Sequence, residues 1–319
     1  MVSIIIAVKG FNDLLKESIQ KCLKLDYKDY EIIILPDEEF SYDDPKVRVI
    51  PTGPCLPAKK RNIGSLQAKG EILAFLDDDA YPSENWLTSA LKNFKDGDVA
   101  AVGGPAVTPP TEDLLRRSSG LVYESFAASG TFRYRYIKSE KRLVDDYPSC
   151  NLIVRKAIFD LLGGFKTNFW PGEDTHLCLE ITKRLNKKIV YDPEALVFHH
   201  RRPLFLPHLK QIRSYALHRG YFVKHFPETS LRWQYFIPTV FLTWLVLGLF
   251  LAFLDNSFAY IYAGSILAYG LFVLANVIVR RDMKMTCLVV LGVFLTHLCY
   301  GMYFIFGLIA PSLKEEDRP

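Results

Sequence analysis

Glu71-Ile72-Leu73-Ala74-Phe75-Leu76-Asp77-Asp78-Asp79 decides the fold. The unbroken apolar run from Ile72 to Leu76 reads as a strand buried on both faces. Three carboxylates follow where that strand would leave its sheet. In open α/β sheets, ligands bind in the crevice beyond the carboxyl ends of the strands. Residues two apart on a strand share a face, so Asp77 and Asp79 are expected to share one target while Asp78 faces away. Carboxylates this close repel unless a cation or donor groups neutralise them. Hard oxygens in such number suit Mg²⁺ or Mn²⁺, which in turn bridge phosphates. The alternative is a solvated acidic turn.

Outward from that strand, the pattern alternates. Val2 to Val8 reads as a buried strand, Asp13 to Leu25 as a helix, Tyr30 to Leu35 and Val47 to Ile50 as strands, and Pro57 to Lys69 as a loop turning into a helix. This β-α-β-β-α-β order predicts a doubly wound, mainly parallel α/β sheet. Residues 109–147 are rich in Ser, Arg and Tyr and are expected to form helices and loops over the site. Ser149 to Val154 returns to strand. Gly163-Gly164 closes a short helix as a C-cap.

The composition changes along the chain, although overall it is 50% hydrophobic with a formal charge of +4. Three stretches, about 235–254, 257–279 and 285–310, each carry the roughly 20 apolar residues that a membrane span needs. They predict a chain in four parts: 1–202 as a catalytic domain, 203–234 as a connector, 235–310 as three spans, and 311–319 as a tail. The connector has Arg201, Arg202, Lys210, Arg213, Arg219, Lys224 and Arg232 at or near it, against the single acid Glu228. A basic amphipathic helix on an anionic leaflet is expected there, with anionic lipids as partners. Arg280, Arg281 and Lys284 between the second and third spans predict a cytoplasmic loop, and hence a cytoplasmic catalytic domain in the cell membrane. Met1 to Val8 enters a strand directly, without the basic region and cleavage site of a leader, so insertion is expected to use the C-terminal helices. The six cysteines form no CxxC pair and are expected to be reduced thiols. No nucleic-acid partner is expected.

Several residues beyond the aspartates are candidates for chemistry. Arg61 and the preceding lysines can neutralise a diphosphate, or form a solvated basic turn. Asp37, at the end of the second strand, is placed to accept a base or ribose hydrogen bond, or is a turn residue. Glu173-Asp174 sits where a loop meets a helix. Asp174 suits an N-cap, and the apolar Trp170-Pro171-Gly172 before it also favours a raised pKa and base function. His199 and His200 end a strand, where an imidazole can complete a metal shell or bind phosphate. Arg201 and Arg202 can hold a pyrophosphate.

In order along the chain, Val2-Ser3-Ile4-Ile5-Ile6, Glu31-Ile32-Ile33-Ile34 with Asp37, Arg61-Asn62-Ile63-Gly64, Ala68 to Asp79, Trp86-Leu87, Asn151-Leu152, Gly163-Gly164-Phe165 and Glu173-Asp174 resemble a family 2 glycosyltransferase of the GT-A fold. The resemblance covers about the first 200 residues. It implies nucleotide contacts at Val8, Asp37, Arg61, Asp77 and Asp78, and a DxD-type motif with metal at Asp77 and Asp79, joined by His200. It implies Asp174, with Glu173 beside it, as the catalytic base of an inverting transfer; Trp170, His199, Arg201 and Arg202 are expected, from their own places in the sequence, to contact acceptor or phosphate. The implied cofactor is Mn²⁺ or Mg²⁺. The implied donor is a nucleotide-sugar, a UDP-sugar ahead of a GDP-sugar; a lipid-linked saccharide is the expected acceptor, because the basic connector and the spans would hold the site at a membrane surface.

The chain departs from the family pattern in places. Ala7-Val8-Lys9-Gly10-Phe11-Asn12 stands for Pro-x-Tyr-Asn, and Pro36-Asp37-Glu38-Glu39 for Asp-Asp-Gly-Ser. The Gln-x-x-Arg-Trp of processive synthases is missing. So is the Asp-x-Gln-Asp-Pro-Pro of dolichyl-phosphate sugar synthases, which weighs against a polyprenyl-phosphate sugar synthase. A nucleotidyltransferase would want a Gly-rich loop after the first strand. An inactive scaffold would not need Asp77, Asp79 and Asp174 together.

Overall fold

The computed structural model describes residues 1–277 and 282–313. In chain order, β1 (Val2–Ala7), α1 (Asp13–Cys22), β2 (Tyr30–Leu35), β3 (Val47–Val49), α2 (Pro57–Gln67) and β4 (Ile72–Asp77) come first. Next are β5 (Ala80–Pro82), α3 (Trp86–Asn93), β6 (Val99–Gly103), β7 (Ala106–Val107), α4 (Leu114–Glu124) and α5 (Phe126–Ser129). β8 (Arg142–Val144), β9 (Asn151–Arg155), α6 (Lys156–Leu162), α7 (Glu173–Leu179), β10 (Lys188–Tyr191) and β11 (Val197–His199) follow. The chain ends in α8 (Leu206–His225), α9 (Pro227–Ser230), α10 (Trp233–Leu254), α11 (Asn256–Val277) and α12 (Met283–Ile309).

These elements form two compact units. The first comprises Met1–Val107 and Ile137–His200 among the described residues, and the second Thr108–Tyr136 and Arg201–Leu313. This division differs from the expected boundary at residue 202. The segment 108–136 belongs with the C-terminal helices, because Val122 on α4 is buried in one apolar cluster with Leu204, Val273, Val289 and Val293.

The first unit carries an eight-stranded sheet of order β3-β2-β1-β4-β9-β6-β10-β8. Strands β3, β2, β1 and β4 run parallel, and β6 and β10 run the same way. β9 is antiparallel to both β4 and β6, and β8 to β10. The expected mainly parallel sheet is therefore present with two reversed strands. Leu152, Ile153 and Val154 of β9 are wholly buried, which suits a central position. A small sheet, β5-β11-β7, lies in the same unit.

In the second unit, α10, α11 and α12 are long and apolar enough to cross a membrane, with mean hydropathies of 2.3, 1.8 and 1.9. Arg280 and Arg281, on which the orientation rests, lie outside the described residues. The connector is not an isolated amphipathic helix. α8 packs along α12 with backbone in contact: a Cβ on Gly220 would strike the Phe304 carbonyl, and one on Gly307 the Leu217 carbonyl. Three of its cations are engaged within the unit. Arg213 lies 4.8 Å over the Tyr303 ring, Arg219 lies 4.8 Å over that of Tyr235, and Lys224 donates to the Ala310 carbonyl at 2.6 Å. All six cysteines are free thiols.

Candidate active site

The carboxyl ends of β1, β2 and β4 lie side by side, because Ala7 is in register with both Leu35 and Asp77. β4 stops at Asp77, and Asp78 and Asp79 form a turn into β5. The strand alternation expected for the three aspartates therefore ends early, yet Asp77 and Asp79 still converge. β5 pairs antiparallel with β11, opposing His199 to Ala80, and this sets the imidazole beside Asp79. His199 Nε2 lies 3.0 Å from Asp79 Oδ1. One donor atom each from Asp77, Asp79 and His199 lies within 4.8 Å of the others. Two carboxylate oxygens and one imidazole nitrogen are a fitting set for Mn²⁺ or Mg²⁺, with positions left for phosphate.

His200 is not in that group. β11 ends at His199, and just beyond it His200 Nε2 lies 2.9 Å from Glu17 Oε2 on α1. Among the described residues, the group that could hold a metal thus contains His199 and not the expected His200. Asp78 accepts from Asn12 Nδ2 at 3.3 Å, and its carboxyl is pushed up to about 6 by burial and by the charges of Asp79 and Asp77.

Arg61 links the strand end to the second acidic pair. Its guanidinium, 4% exposed, donates to Asp77 Oδ1 and to Glu173 Oε1, each at 2.7 Å. Its Nε is buried with no hydrogen-bond partner among the described residues. Burial works against this charge, but Asp77, Glu173 and Asp174 outweigh it. Next to Arg61, Asn62 donates to the Phe165 carbonyl at 2.8 Å and accepts from Phe165 N–H at 2.9 Å. That exchange fixes the Gly163-Gly164-Phe165 turn against α2. Gly64 allows α2 to approach the sheet, since a Cβ there would meet Leu35 Cδ1 at 2.8 Å.

Glu173 opens α7, and Gly172 rather than Asp174 is the cap. Burial and the Asp174 charge push the Glu173 carboxyl up to about 7 against the pull of Arg61. Asp174 Oδ2 accepts from Ser149 N–H at 3.0 Å, and Oδ1 from Thr175 N–H at 2.8 Å. Burial and then the charge of Asp146 raise its pKa, while the two backbone donors lower it. Asn151 is a buried brace, donating to the Gly104 and Ala195 carbonyls and accepting from Trp86 Nε1. Trp170, in the loop before α7, is 48% exposed.

Two of the expected residues lie in the other unit. Arg201 is buried there, its Nε 3.3 Å from Thr108 Oγ1 and its guanidinium over the Tyr123 and Tyr136 rings. Arg202 is exposed. Arg201 is thus engaged with a hydroxyl and two rings of its own unit. Lys60, expected either to neutralise a diphosphate or to lie in a solvated basic turn, is also buried. It donates to the Val8 carbonyl at 2.7 Å, to the Leu35 carbonyl at 3.2 Å, and to the Asp37 carboxylate. No sequence signal separated it from its exposed neighbour Lys59.

Residues 3–163 match the family model described as glycosyl transferase family 2, just over half of the chain. The chain belongs to glycosyl transferase family 2. Among curated relatives, a pre-mycofactocin glycosyltransferase of Mycobacterium tuberculosis is 28% identical over 168 residues, 52% of this chain and 33% of the relative. A glucosyl-dolichyl phosphate glucuronosyltransferase of Haloferax volcanii is 23% identical over 147 residues, 44% of this chain and 46% of the relative. The chain thus spans a third to a half of the length of the curated relatives it matches. A mannosyltransferase from Pyrobaculum calidifontis, solved with GDP-Man and Mn²⁺, superposes with a TM-score of 0.62 over 93% of this chain and 86% of its own, at 16% identity. GalNAc-T7, solved with UDP, GalNAc and Mn²⁺, superposes with a TM-score of 0.51 over 72% of this chain and 51% of its own, at 17% identity. The family 2 chain therefore shares the GT-A fold of these neighbours.

Proposed function

We propose that this family 2 chain is a metal-dependent, inverting glycosyltransferase that moves a sugar from a nucleotide-sugar to a lipid-linked saccharide at a membrane surface. The convergence of Asp77, Asp79 and His199 at the carboxyl end of β4 carries the reading. The fold neighbours solved with nucleotide or nucleotide-sugar and Mn²⁺ support the donor and the metal, and the dolichyl-phosphate relative supports a lipid acceptor. Three helices able to cross a bilayer support the location. Confining both substrates near one surface raises their effective concentration.

In this mechanism Asp77, Asp79 and His199 would hold a divalent cation, whose charge would neutralise a diphosphate leaving group. Arg61 adds a fixed positive charge beside Asp77. Asp174 takes the proton of the acceptor hydroxyl, which attacks the anomeric carbon opposite the leaving group. Its two backbone hydrogen bonds fix its orientation, and its raised pKa suits a base. Glu173 is held by Arg61 and keeps the two carboxylates of α7 in distinct roles. Trp170 offers an exposed ring on which an acceptor sugar can stack. The catalytic unit is read as cytoplasmic and the spans as lying in the cell membrane.

A thermal-shift and hydrolysis panel of nucleotide-sugars, with Mn²⁺, with Mg²⁺ and with EDTA, tests the proposal. Stabilisation and slow hydrolysis that need the cation support it. A chain that responds to no nucleotide-sugar under any condition overturns it.

A further inference from the structure

We propose that Lys60 decides which nucleobases the site accepts, by holding Asp37 as a fixed hydrogen-bond acceptor. This inference rests on the nucleotide-sugar reading above. Lys60 is 3% exposed, although it lies between Lys59 and Arg61 in a basic run. An ammonium has three donors. Here all three find partners: the Val8 carbonyl, the Leu35 carbonyl and the Asp37 carboxylate. Nothing is left for a ligand, so Lys60 acts through Asp37 and is a positioning residue.

The rest of Asp37 is fixed as well. Its N–H donates to the Lys9 carbonyl at 2.8 Å, and its carbonyl accepts from Gly53 N–H at 3.1 Å. Lys60 takes Oδ1, and the side chain keeps 24% exposure. Oδ2 has no partner among the described residues. The loops after β1 and β2 also bring Phe11 and Phe40 to a centroid distance of 5.1 Å, with Phe11 49% exposed. The exposed Phe11 ring, backed by the partly buried Phe40, suits stacking on any flat base and does not choose among bases. The choice falls to Asp37.

A carboxylate accepts and does not donate. Uracil and guanine carry a ring N–H on their pairing edge. Cytosine and adenine carry a lone pair on the corresponding ring nitrogen, with an amino group beside it. A mobile carboxylate would swing to that amino group and bind all four. One pinned at Oδ1 rewards the ring N–H and opposes the lone pair. Without the ammonium, Asp37 regains that freedom.

Titration of the full-length chain with UDP, GDP, CDP, ADP and pyrophosphate, each with Mn²⁺, tests this. The parent is expected to bind UDP and GDP about tenfold or more tighter than CDP and ADP, the ratio one well-placed charged hydrogen bond supports. In Lys60→Met the stem remains and the ammonium goes. The ratio should fall to about threefold or less, with pyrophosphate affinity unchanged. Should Lys60→Met not fold, Asp37→Asn carries the same test, because a rotatable amide can donate or accept. A parent that binds all four alike, or variants that keep the parent ranking, overturn the inference and leave the proposed function standing. A parent that binds no nucleoside diphosphate overturns both.

Discussion

Arg61 Nη1 and Glu173 Oε1 meet at 2.7 Å across 112 residues of sequence, and the same guanidinium reaches Asp77 Oδ1 at 2.7 Å. The start of α7 is thereby tied to the strand that carries the aspartates. A buried pair of this kind is weak evidence for stability, because desolvation offsets the attraction. Its consequence is positional: the acid pair of α7 and the end of β4 are set by one planar group.

That pair gives a pH dependence with a definite sign. Glu173 is raised from 4.5 to about 7 by burial and by Asp174. Between those values the folded state binds more protons than the unfolded state, so stability falls as pH rises. Glu173→Gln removes this slope. Its melting temperature relative to the parent should increase from pH 5 to pH 8, as thermal melts in detergent would register. A difference that stays constant with pH contradicts the assignment.

Asn62 should be structural. Asn62→Ala breaks its exchange with Phe165 and strands a backbone N–H and carbonyl, at about 1–3 kcal/mol for each group left unsatisfied. Gly164→Ala should also destabilise, since Gly164 has φ +74° and its Cβ would lie 2.5 Å from Asn62 Oδ1. Because the clash needs the Asn62 side chain, the double variant should lose less than the two single losses added. Chemical denaturation of all three variants checks this, and simple additivity argues against the contact.

Asp174→Asn should lower turnover by about 10²–10⁴ while leaving donor affinity nearly unchanged. An amide oxygen can still accept one of the backbone donors from Ser149 and Thr175, so the fold should survive. Donor titration together with kcat on this variant separates base loss from misfolding. Turnover within a few-fold of the parent moves the base to Glu173.

Much of the first unit was legible in the sequence. Apolar runs such as Ile72 to Leu76 have few ways to be buried other than as central strands, and the motif spacing fixed their order. The three apolar helices were legible from length and composition together. The reversed strand β9 was not, since its apolar run carries no mark of direction. Nor was the choice between His199 and His200, which depends on the register of β11 with β5, a long-range pairing that neither residue encodes locally. The burial of Lys60 and Arg201 was hidden for a related reason. Composition assigns cations to solvent, and only tertiary contacts supply the carbonyls, carboxylates and rings that let them leave it.

The central claim is that Asp79 handles a cation that in turn handles the donor. Isothermal titration of UDP and GDP into the full-length chain, with and without Mn²⁺, for the parent and for Asp79→Asn, addresses it directly. The account predicts Mn²⁺-dependent binding in the parent, and loss of that dependence in an Asp79→Asn protein whose melting temperature in the absence of metal is unchanged. Equal Mn²⁺-dependent affinity in the two proteins would contradict it.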